Sequence, residues 1–306
     1  MSTLIDDVVA RMGWASVPDL SIVALRGGIT NLTYRVDAGG ETYVVRIPGQ
    51  DSAFLGIDRE REHACTAAAH QSGVAPAVVA FLRDTGIIIT RFVRGRSITE
   101  QELGRPEMLP RVVEALGRTH GSPPFPGTFS PFEAVRHYLA AAIPYGVPLP
   151  ERFEWMLAQA DLLEGALGAP GALRPCHNDL LAGNFLDDGE RLWILDWEYA
   201  GMGDPFFDLG NFAANQHLSD AAERTLLHAY FGSVPAGAVA RVKLMRIISD
   251  LREATWALVQ GAISSLDHDF RAYARTHFDR CTAALEDPRL PAWLAAAAAP
   301  VPHDAR

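Results

Sequence analysis

Cysteine and net positive charge are scarce in this sequence. Its three cysteines stand far apart with no CxxC pair, which disfavours a disulfide framework and a cysteine-based zinc site. Lys and Arg number 27 against 37 Asp and Glu, and the formal net charge of -10 argues against binding to nucleic acid or to an anionic membrane. No apolar run approaches a membrane span and no signal segment opens the sequence, so we expect a cytoplasmic protein.

The composition that is present is that of an ordinary globular protein. Of the 306 residues, 48% are hydrophobic and 21% are charged, which disfavours disordered and fibrous classes. The character of the chain changes near residue 93. Short β-rich runs, glycine-containing turns and one helix-forming stretch come first, and apolar spacing typical of helices follows. We predict an N-terminal domain over residues 1–93 and a mainly helical domain over residues 94–306.

Two polar segments interrupt the helical part, and both contain acid and amide side chains. HNDLLAGNF carries Asp179 and, five residues on, Asn184, while the buried run LWIL leads directly to Asp196. Phosphoryl transfer needs one carboxylate to accept the proton of the attacking hydroxyl, and an amide with a carboxylate to hold Mg²⁺ on the nucleotide phosphates. Any one of these residues could simply cap a helix or a turn, but their order and spacing together favour a site for phosphoryl transfer.

The longer motifs around these residues resemble the choline and ethanolamine kinases, a group within the aminoglycoside phosphotransferases. The resemblance spans roughly residues 20 to 282 and is carried by CHNDLLAGN, by ILDWEYAGMGDPFFDLGNF and by REATWALVQGAIS with DFRAYARTHF. It implies an α+β, bilobal, protein-kinase-like fold, in which a small antiparallel sheet lobe with one helix precedes a larger helical lobe. It also implies ATP as the donor, Asp179 as the catalytic base, and Asn184 and Asp196 as magnesium ligands.

The N-terminal part contains a candidate nucleotide site. GGITN lies between two predicted strands and can present backbone N–H groups to phosphate oxygens, although a Gly-Gly in a hairpin is more often only a turn. Kinases of this fold pair a strand lysine with a helix glutamate, whereas this chain has Arg46 in YVVRI, as is usual in the group it resembles. Glu62 is the candidate partner and Glu60 the alternative, while an exposed helix of alternating charges fits DRERE almost as well. The predicted nucleotide-contacting residues are Gly27, Gly28, Thr30, Asn31, Arg46 and Glu62, with Arg91, Phe92 and Val93 as the hinge for adenine.

The late helices contain candidate residues for the phosphoryl acceptor. Trp256 and Tyr273 match aromatic positions of the choline pocket in the group this chain resembles, and aromatic faces attract a quaternary ammonium. Glu253 lies one helical turn before Trp256, so both side chains can point the same way, and Glu198 is a second candidate carboxylate. By residue type alone such aromatics are more often core. Asn215 ends FDLGNFAAN where the group commonly has a glutamate, which removes an expected anionic partner of the ammonium.

Two further residues are expected to support the site without reacting. Asp208 in FFDLGNF resembles the buried acid that braces the catalytic loop in this group, and His177 is expected to orient that loop by hydrogen bonding. No motif resembles a nucleophile elbow or a zinc site, so hydrolase functions rank low.

The sequence therefore predicts an ATP- and Mg²⁺-dependent kinase that transfers the γ-phosphoryl group to the hydroxyl of an amino alcohol. Choline ranks first, ethanolamine second, and another amine-bearing alcohol such as an aminoglycoside or thiamine third. The alternative from another class is a non-catalytic protein that binds nucleotide or amine on the same scaffold, which the three filled catalytic positions disfavour. The oligomeric state stays open, and no nucleic acid or membrane partner is expected. The residues expected to contact the acceptor are Asp179, Glu198, Glu253, Trp256 and Tyr273.

Overall fold

The computed structural model describes most of the chain and leaves short segments out. The predicted phosphate-loop residues Gly27, Gly28 and Thr30 lie outside the described residues. No helix in the described part of the chain is long and apolar enough to cross a membrane. All three cysteines are buried free thiols. The described residues are 3–25, 31–49, 52–264, 268–299 and 301.

A five-stranded antiparallel sheet forms the N-terminal part. Its order is β1-β2-β3-β5-β4. Side chains alternate along a strand, so Val45 and Ile47 of β3 point into the core under the first helix while Arg46 points to the opposite face. Gly39 and Gly40 form the predicted β2–β3 turn, both at positive φ. The strands are β1 (Ser21–Leu25), β2 (Asn31–Ala38), β3 (Glu41–Pro48), β4 (Val78–Leu82) and β5 (Ile87–Arg91).

One helix is inserted between the third and fourth strands, as predicted. This helix, α2, spans Arg59–Gln71, and a second helix that was not predicted, α1, spans Thr3–Arg11 before the sheet. The Asp58 side chain caps α2 by accepting from the backbone N–H groups of Glu60 (2.9 Å) and Arg61 (3.1 Å). The cap fixes where the first turn begins, and Glu62 in that turn is only 1% exposed.

The rest of the chain is mainly helical and is organised around one long helix, α9. This helix is buried for most of its length and packs against α5, α7, α10 and α11. The change from sheet to helices follows β5, and the domain boundary at residue 93 stays a prediction. The helices are α3 (Glu100–Leu103), α4 (Leu109–His120), α5 (Pro131–Ala142), α6 (Phe153–Leu167), α7 (Pro205–Asn215), α8 (Asp220–Phe231), α9 (Ala236–Ile263), α10 (Phe270–Leu285) and α11 (Leu290–Ala296).

Five short strands support the two polar loops. The first polar loop connects β7 to β8, and the second connects β9 to β10. The buried run LWIL was the one strand predicted here, because strands of three residues are too short to show an alternation of apolar and polar side chains. The strands are β6 (Arg96–Ser97), β7 (Arg174–Cys176), β8 (Phe185–Asp187), β9 (Leu192–Ile194) and β10 (Gly201–Gly203), paired as β6-β8-β9 and β10-β7.

Helices α7 and α9 run side by side in the same direction and approach closely at Gly210. A Cβ atom on Gly210 would lie 2.5 Å from the Cβ of Met245, so the crossing has no room for a methyl group. The next residue of α7, Asn211, donates from Nδ2 to the Oγ of Ser249, which lies one turn after Met245 on α9, at 3.0 Å. This contact sets α7, which supports the first polar loop, directly against α9.

Candidate active site

The first polar loop is held in place by Asp208 of α7. The Asp208 carboxylate accepts hydrogen bonds from the backbone N–H groups of His177 (2.9 Å) and Asn178 (2.7 Å) and from His120 Nε2 (3.0 Å). Burial opposes ionisation, but the hydrogen bonds from His120 and the backbone hold the pKa of Asp208 below its ordinary value. Asn178 sits at φ 68, a left-handed conformation that Asn tolerates better than most residues. The loop is therefore fixed by a buried charge.

The same acid belongs to a buried cluster with His120 and Cys176. Their possible ligand atoms lie within 4.8 Å of one another. The Asp208 oxygens are already used by three donors, and His120 Nδ1 lies 2.6 Å from the Tyr230 hydroxyl. Burial raises the pKa of the Cys176 thiol well above its ordinary value, which disfavours the thiolate that a metal requires. The cluster is thus a brace of hydrogen bonds.

Asp179 lies at the centre of the site. Its Oδ1 accepts from Arg252 Nη1 at 3.1 Å, and Asn184 Nδ2 donates to its backbone oxygen (2.8 Å) and to its Oδ2 (3.3 Å). Burial raises the pKa of Asp179 to about 7, Arg252 opposes the rise, and the carboxylates of Glu253 and Asp196 add to it. The carboxyl group is therefore buried, oriented on two sides and about half ionised near pH 7.

Asn184 and Asp196 come together because the ends of β8 and β9 are paired. The backbone N–H of Leu195 donates to the Asn184 carbonyl at 2.8 Å, and Asp196 follows with φ 64. The Asn184 nitrogen is bonded to Asp179, so its Oδ1 is the atom left to face a ligand. An amide oxygen and a carboxylate are the hard donors that Mg²⁺ prefers, and the two side chains therefore fit a magnesium ion.

The strand residue Arg46 joins the sheet to this loop region. Its guanidinium pairs with Glu62 of α2 and with Asp196. Burial opposes the charge on Arg46, but Asp196 and Glu198 hold the pKa of Arg46 above its ordinary value. Glu60, the alternative partner, pairs with the exposed Arg83 instead. The structure thus brings Glu62, and not Glu60, to Arg46.

Glu198 lies on the sheet side of the site, away from the position expected for an acceptor contact. Its Oε2 accepts from Asn31 Nδ2 (3.0 Å) and from Arg59 Nη1 (3.0 Å), and Arg59 also reaches Asn31 Oδ1 (3.1 Å). Burial and the neighbouring Asp196 carboxylate raise the pKa of Glu198. Within the described part of the chain, no hydrogen bond joins Glu198 to Glu253. We call Asn31, Arg46, Arg59 and Glu62 the nucleotide end of the site.

The expected acceptor residues of α9 and α10 do meet. The Trp256 and Tyr273 rings are 5.9 Å apart at 65°, and Trp256 Nε1 donates to the Tyr199 hydroxyl at 2.9 Å. The Tyr273 hydroxyl donates to Glu253 Oε2 at 3.0 Å, and Arg252 pairs with Glu253 Oε1. Trp256 is 5% exposed, so much of its surface is packed. We call Arg252, Glu253, Trp256 and Tyr273 the acceptor end.

The predicted hinge follows β5 and has two of its backbone donors in use. The N–H of Arg91 donates to the Ala77 carbonyl (2.8 Å), and the N–H of Phe92 donates to the Thr42 carbonyl (3.0 Å). The groups to consider for an adenine ring are therefore the carbonyl oxygens of this segment and the N–H of Val93.

Three residues of the site were missed by the sequence analysis. Arg59 and Arg252 supply two of the three guanidinium groups, and Tyr199 contacts Trp256 and Arg252 at the acceptor end. A signal existed for Arg252, because it directly precedes Glu253 in the REATW motif. Tyr199 likewise follows Glu198 in DWEY. Nothing in residue type alone distinguishes Arg59 from its charged neighbours in DRERE.

Comparison with known proteins identifies the class. The model of the phosphotransferase enzyme family matches residues 21–243. Protein LicA of Haemophilus influenzae is 31% identical over 223 residues, which is 70% of this chain and 63% of LicA, just under two thirds of that protein's length. The probable ethanolamine kinase A of Dictyostelium discoideum is 27% identical over 300 residues, covering 86% of this chain and 84% of that one.

A solved structure agrees over nearly the whole chain. The choline/ethanolamine kinase family protein from Mesorhizobium loti is 34% identical and superposes with a TM-score of 0.81, covering 96% of this chain and 99% of that one. The chain therefore belongs to the phosphotransferase enzyme family. Within that family it is a phosphotransferase of the choline and ethanolamine kinase kind. The predicted resemblance and the predicted α+β, protein-kinase-like fold are confirmed.

Proposed function

We propose that the protein transfers the γ-phosphoryl group of ATP to the hydroxyl of a small amino alcohol, choline first and ethanolamine second. The observation that carries the proposal is the position of Asp179, a buried carboxylate oriented by Asn184 and flanked by Asp196. Asp196 also contacts Arg46 of the sheet, so the loop region and the nucleotide end form one site. Aromatic side chains lie on the other side of Asp179.

Asp179 is the general base of the proposed reaction. As the alcohol oxygen bonds to the γ-phosphorus, its proton moves to the Asp179 carboxylate, and the bond from the γ-phosphorus to the bridging oxygen of the leaving ADP breaks. The hydrogen bond from Asn184 and the ion pair with Arg252 keep the carboxylate in one orientation. A pKa of about 7 places the base close to the operating pH, where proton transfer is most effective.

Magnesium and the nucleotide account for the surplus of acid. Five carboxylates share the site with three guanidinium groups, an excess of two negative charges when all are ionised. Mg²⁺, when bound, neutralises charge on the phosphates, and Asn184 Oδ1 with the Asp196 carboxylate would hold it. Arg46 lies beside Asp196 and would face the same phosphates. The charged residues are Glu62, Asp179, Asp196, Glu198 and Glu253 against Arg46, Arg59 and Arg252.

The acceptor would lie against the aromatic residues of α9 and α10. Trp256 and Tyr273 offer faces for a cationic group, and cation–π attraction contributes on the order of 0.5–2 kcal/mol for each face. Glu253 lies between them and Asp179 and makes the surroundings more negative. An alcohol with its ammonium near Trp256 would direct its hydroxyl toward Asp179.

An assay of ADP release over a panel of alcohols tests the proposal. Choline, ethanolamine, thiamine and an aminoglycoside are compared with and without Mg²⁺, and turnover is expected with choline or ethanolamine only when Mg²⁺ is present. Absence of phosphorylated product with every alcohol would favour the non-catalytic alternative. If product forms with the aminoglycoside alone, the acceptor is an aminoglycoside and the assignment to a small amino alcohol is wrong.

The metal part of the proposal has its own variant. Asp196→Asn keeps a residue type that tolerates the backbone at φ 64 and removes the charged ligand, so the Mg²⁺ concentration for half-maximal activity is expected to rise at least about tenfold. Asp161→Asn on the exposed face of α6 serves as the control. An unchanged Mg²⁺ titration in Asp196→Asn would remove this residue from the metal site.

A further inference from the structure

The acceptor end contains a cation of its own. Arg252 is 1% exposed, pairs with Asp179 and Glu253, and lies 4.4 Å above the centre of the Tyr199 ring. Burial opposes its charge, but the carboxylates around it, Glu253 foremost, hold the pKa of Arg252 well above its ordinary value. A positive charge is therefore present at the acceptor end before any substrate arrives.

Glu253, the carboxylate nearest the aromatic pair, has both oxygens in use. Arg252 pairs with Oε1, and the Tyr273 hydroxyl donates to Oε2 at 3.0 Å. The side chain is only 4% exposed, so water can solvate the carboxylate very little. A ligand that must donate hydrogen bonds here has to share or displace these two donors.

The unmet polar atoms near the acceptor end are mostly donors. Arg252 Nε and Nη2 and Asn215 Nδ2 are buried and have no hydrogen-bond partner among the described residues. Asn211 of α7 bonds Ser249 of α9, and Asn215 follows Asn211 by one turn on the same helix. The Tyr138 phenol lies beside the guanidinium and interacts with it.

Two unmet acceptors of the helical part belong to the support of the first polar loop. Asn178 Oδ1 faces Gly203, and the amide of the same side chain holds the Tyr199 carbonyl. Gln216 Oε1 is also unpaired, and its amide nitrogen holds the Leu180 carbonyl at 3.0 Å. Among the described residues, the acceptor end therefore has unpaired donors, and the Glu253 carboxylate beside the aromatic rings is engaged.

We propose that Tyr273 and Arg252, by occupying both oxygens of Glu253, make the acceptor end selective for a quaternary over a primary ammonium. The inference rests on the proposed function. A primary ammonium carries three N–H donors that lose water on entry and need acceptors, and an unmet donor is costly to bury. A fully methylated ammonium has no such donors and is attracted by the faces of Trp256 and Tyr273.

The sharpest test is Tyr273→Phe, which keeps the aromatic face and frees Glu253 Oε2. The ratio of kcat/KM for choline to kcat/KM for ethanolamine is expected to fall about tenfold, mainly through a gain with ethanolamine, since one hydrogen bond to a charged group is made available. The difference between the affinities for choline and ethanolamine, measured by calorimetry, should shrink in the same way. Tyr145→Phe, at an exposed position that contacts Phe54, is the matched control and should leave the ratio unchanged.

A second variant tests the inference if Tyr273→Phe folds poorly in a thermal melt. Because Glu253 is already engaged, Glu253→Gln is expected to change the two alcohols by similar factors. A loss in Glu253→Gln that is tenfold larger for ethanolamine, or a Tyr273→Phe ratio equal to that of the wild type, would overturn the inference.

A failure of the proposed function can be distinguished from a failure of this inference. If wild-type protein phosphorylates neither alcohol, the proposed function is wrong, and the binding comparison still decides the selectivity. If neither alcohol binds, both are wrong.

Discussion

The nucleotide end and the acceptor end of the site are assembled in different ways. At the nucleotide end, Arg46 and Asp196 are 150 residues apart and join the sheet to the loop region. At the acceptor end, Glu253 and Tyr273 are 20 residues apart on consecutive helices. The first depends on how the sheet meets the helical part, whereas the second is built within the helical part. Substitutions at the two ends should therefore affect different kinetic constants.

The largest expected effect comes from the residue between the two ends. Asp179→Asn keeps the shape of the side chain and removes its ability to accept a proton, and turnover is expected to fall about 10²–10⁴-fold. Nucleotide affinity should survive, because Arg46, Glu62 and Asp196 are untouched. Steady-state kinetics and nucleotide titration measure the two quantities. A variant that keeps more than about a tenth of wild-type turnover would exclude Asp179 as the base.

The nucleotide end is probed next with Arg46→Lys. Lysine retains the charge but loses the planar fork that contacts Glu62 and Asp196 together, so the KM for ATP is expected to rise about tenfold while the KM for the alcohol changes little. Arg83→Lys, in the exposed pair with Glu60, is the matched control and should change neither constant. If only the KM for the alcohol rises in Arg46→Lys, the division between the two ends is wrong.

The acceptor end is probed with Trp256→Leu. Leucine keeps an apolar side chain on α9 and deletes the aromatic face, so kcat/KM for choline is expected to fall about two- to thirtyfold, with the KM for ATP unchanged. Trp155→Leu, where the tryptophan lies under Arg152 on α6, controls for the loss of a tryptophan elsewhere. A Trp256→Leu protein that melts far lower yet shows normal kinetics would show that this side chain serves packing alone.

The smallest expected effect is a difference in melting temperature that depends on pH. The pKa of Asp179 is about 7 in the folded protein, above the ordinary value of an unfolded aspartate, so the folded state binds this proton more tightly. The resulting stability is complete below about pH 4 and is lost as the pH rises through about 7. Asp179→Asn does not lose this stability, so without metal it should melt about 2–5 °C above the wild type at pH 8 and nearly level with it at pH 4. Equal pH profiles would contradict the raised pKa.

Regular elements and the central motif could be predicted from the sequence because each has a local signal. The strand-like run YVVRI next to the Gly39–Gly40 turn predicted the hairpin. Because side chains alternate along a strand, Arg46 lies on the face opposite to the core. Asp179, Asn184 and Asp196 stand in short polar loops next to buried strands, where few other arrangements of the side chains are open. These features depend on neighbours in sequence, so the sequence was enough to find them.

The orientation of Glu198 and the role of Arg252 depend on features without a local signal. Asp196 follows the end of β9 and sits at φ 64, so strand alternation no longer tells which way Glu198 points, and Glu198 faces Asn31 on the sheet side. Arg252 reaches Asp179 across 73 residues of sequence, through the packing of α9 beside the first polar loop. Such contacts arise only when the helices are in place.

Gly210 lets α7, which holds the first polar loop through Asp208, pack directly against α9, which carries the candidate acceptor residues. Since a Cβ at this position would collide with Met245, even alanine would force α9 away from α7, and Arg252, Glu253 and Trp256 would move together as a rigid unit. The distance from Asp179 to the proposed acceptor position thus depends on the absence of one methyl group at Gly210. A longer distance between Asp179 and the acceptor end would favour a longer alcohol over a shorter one.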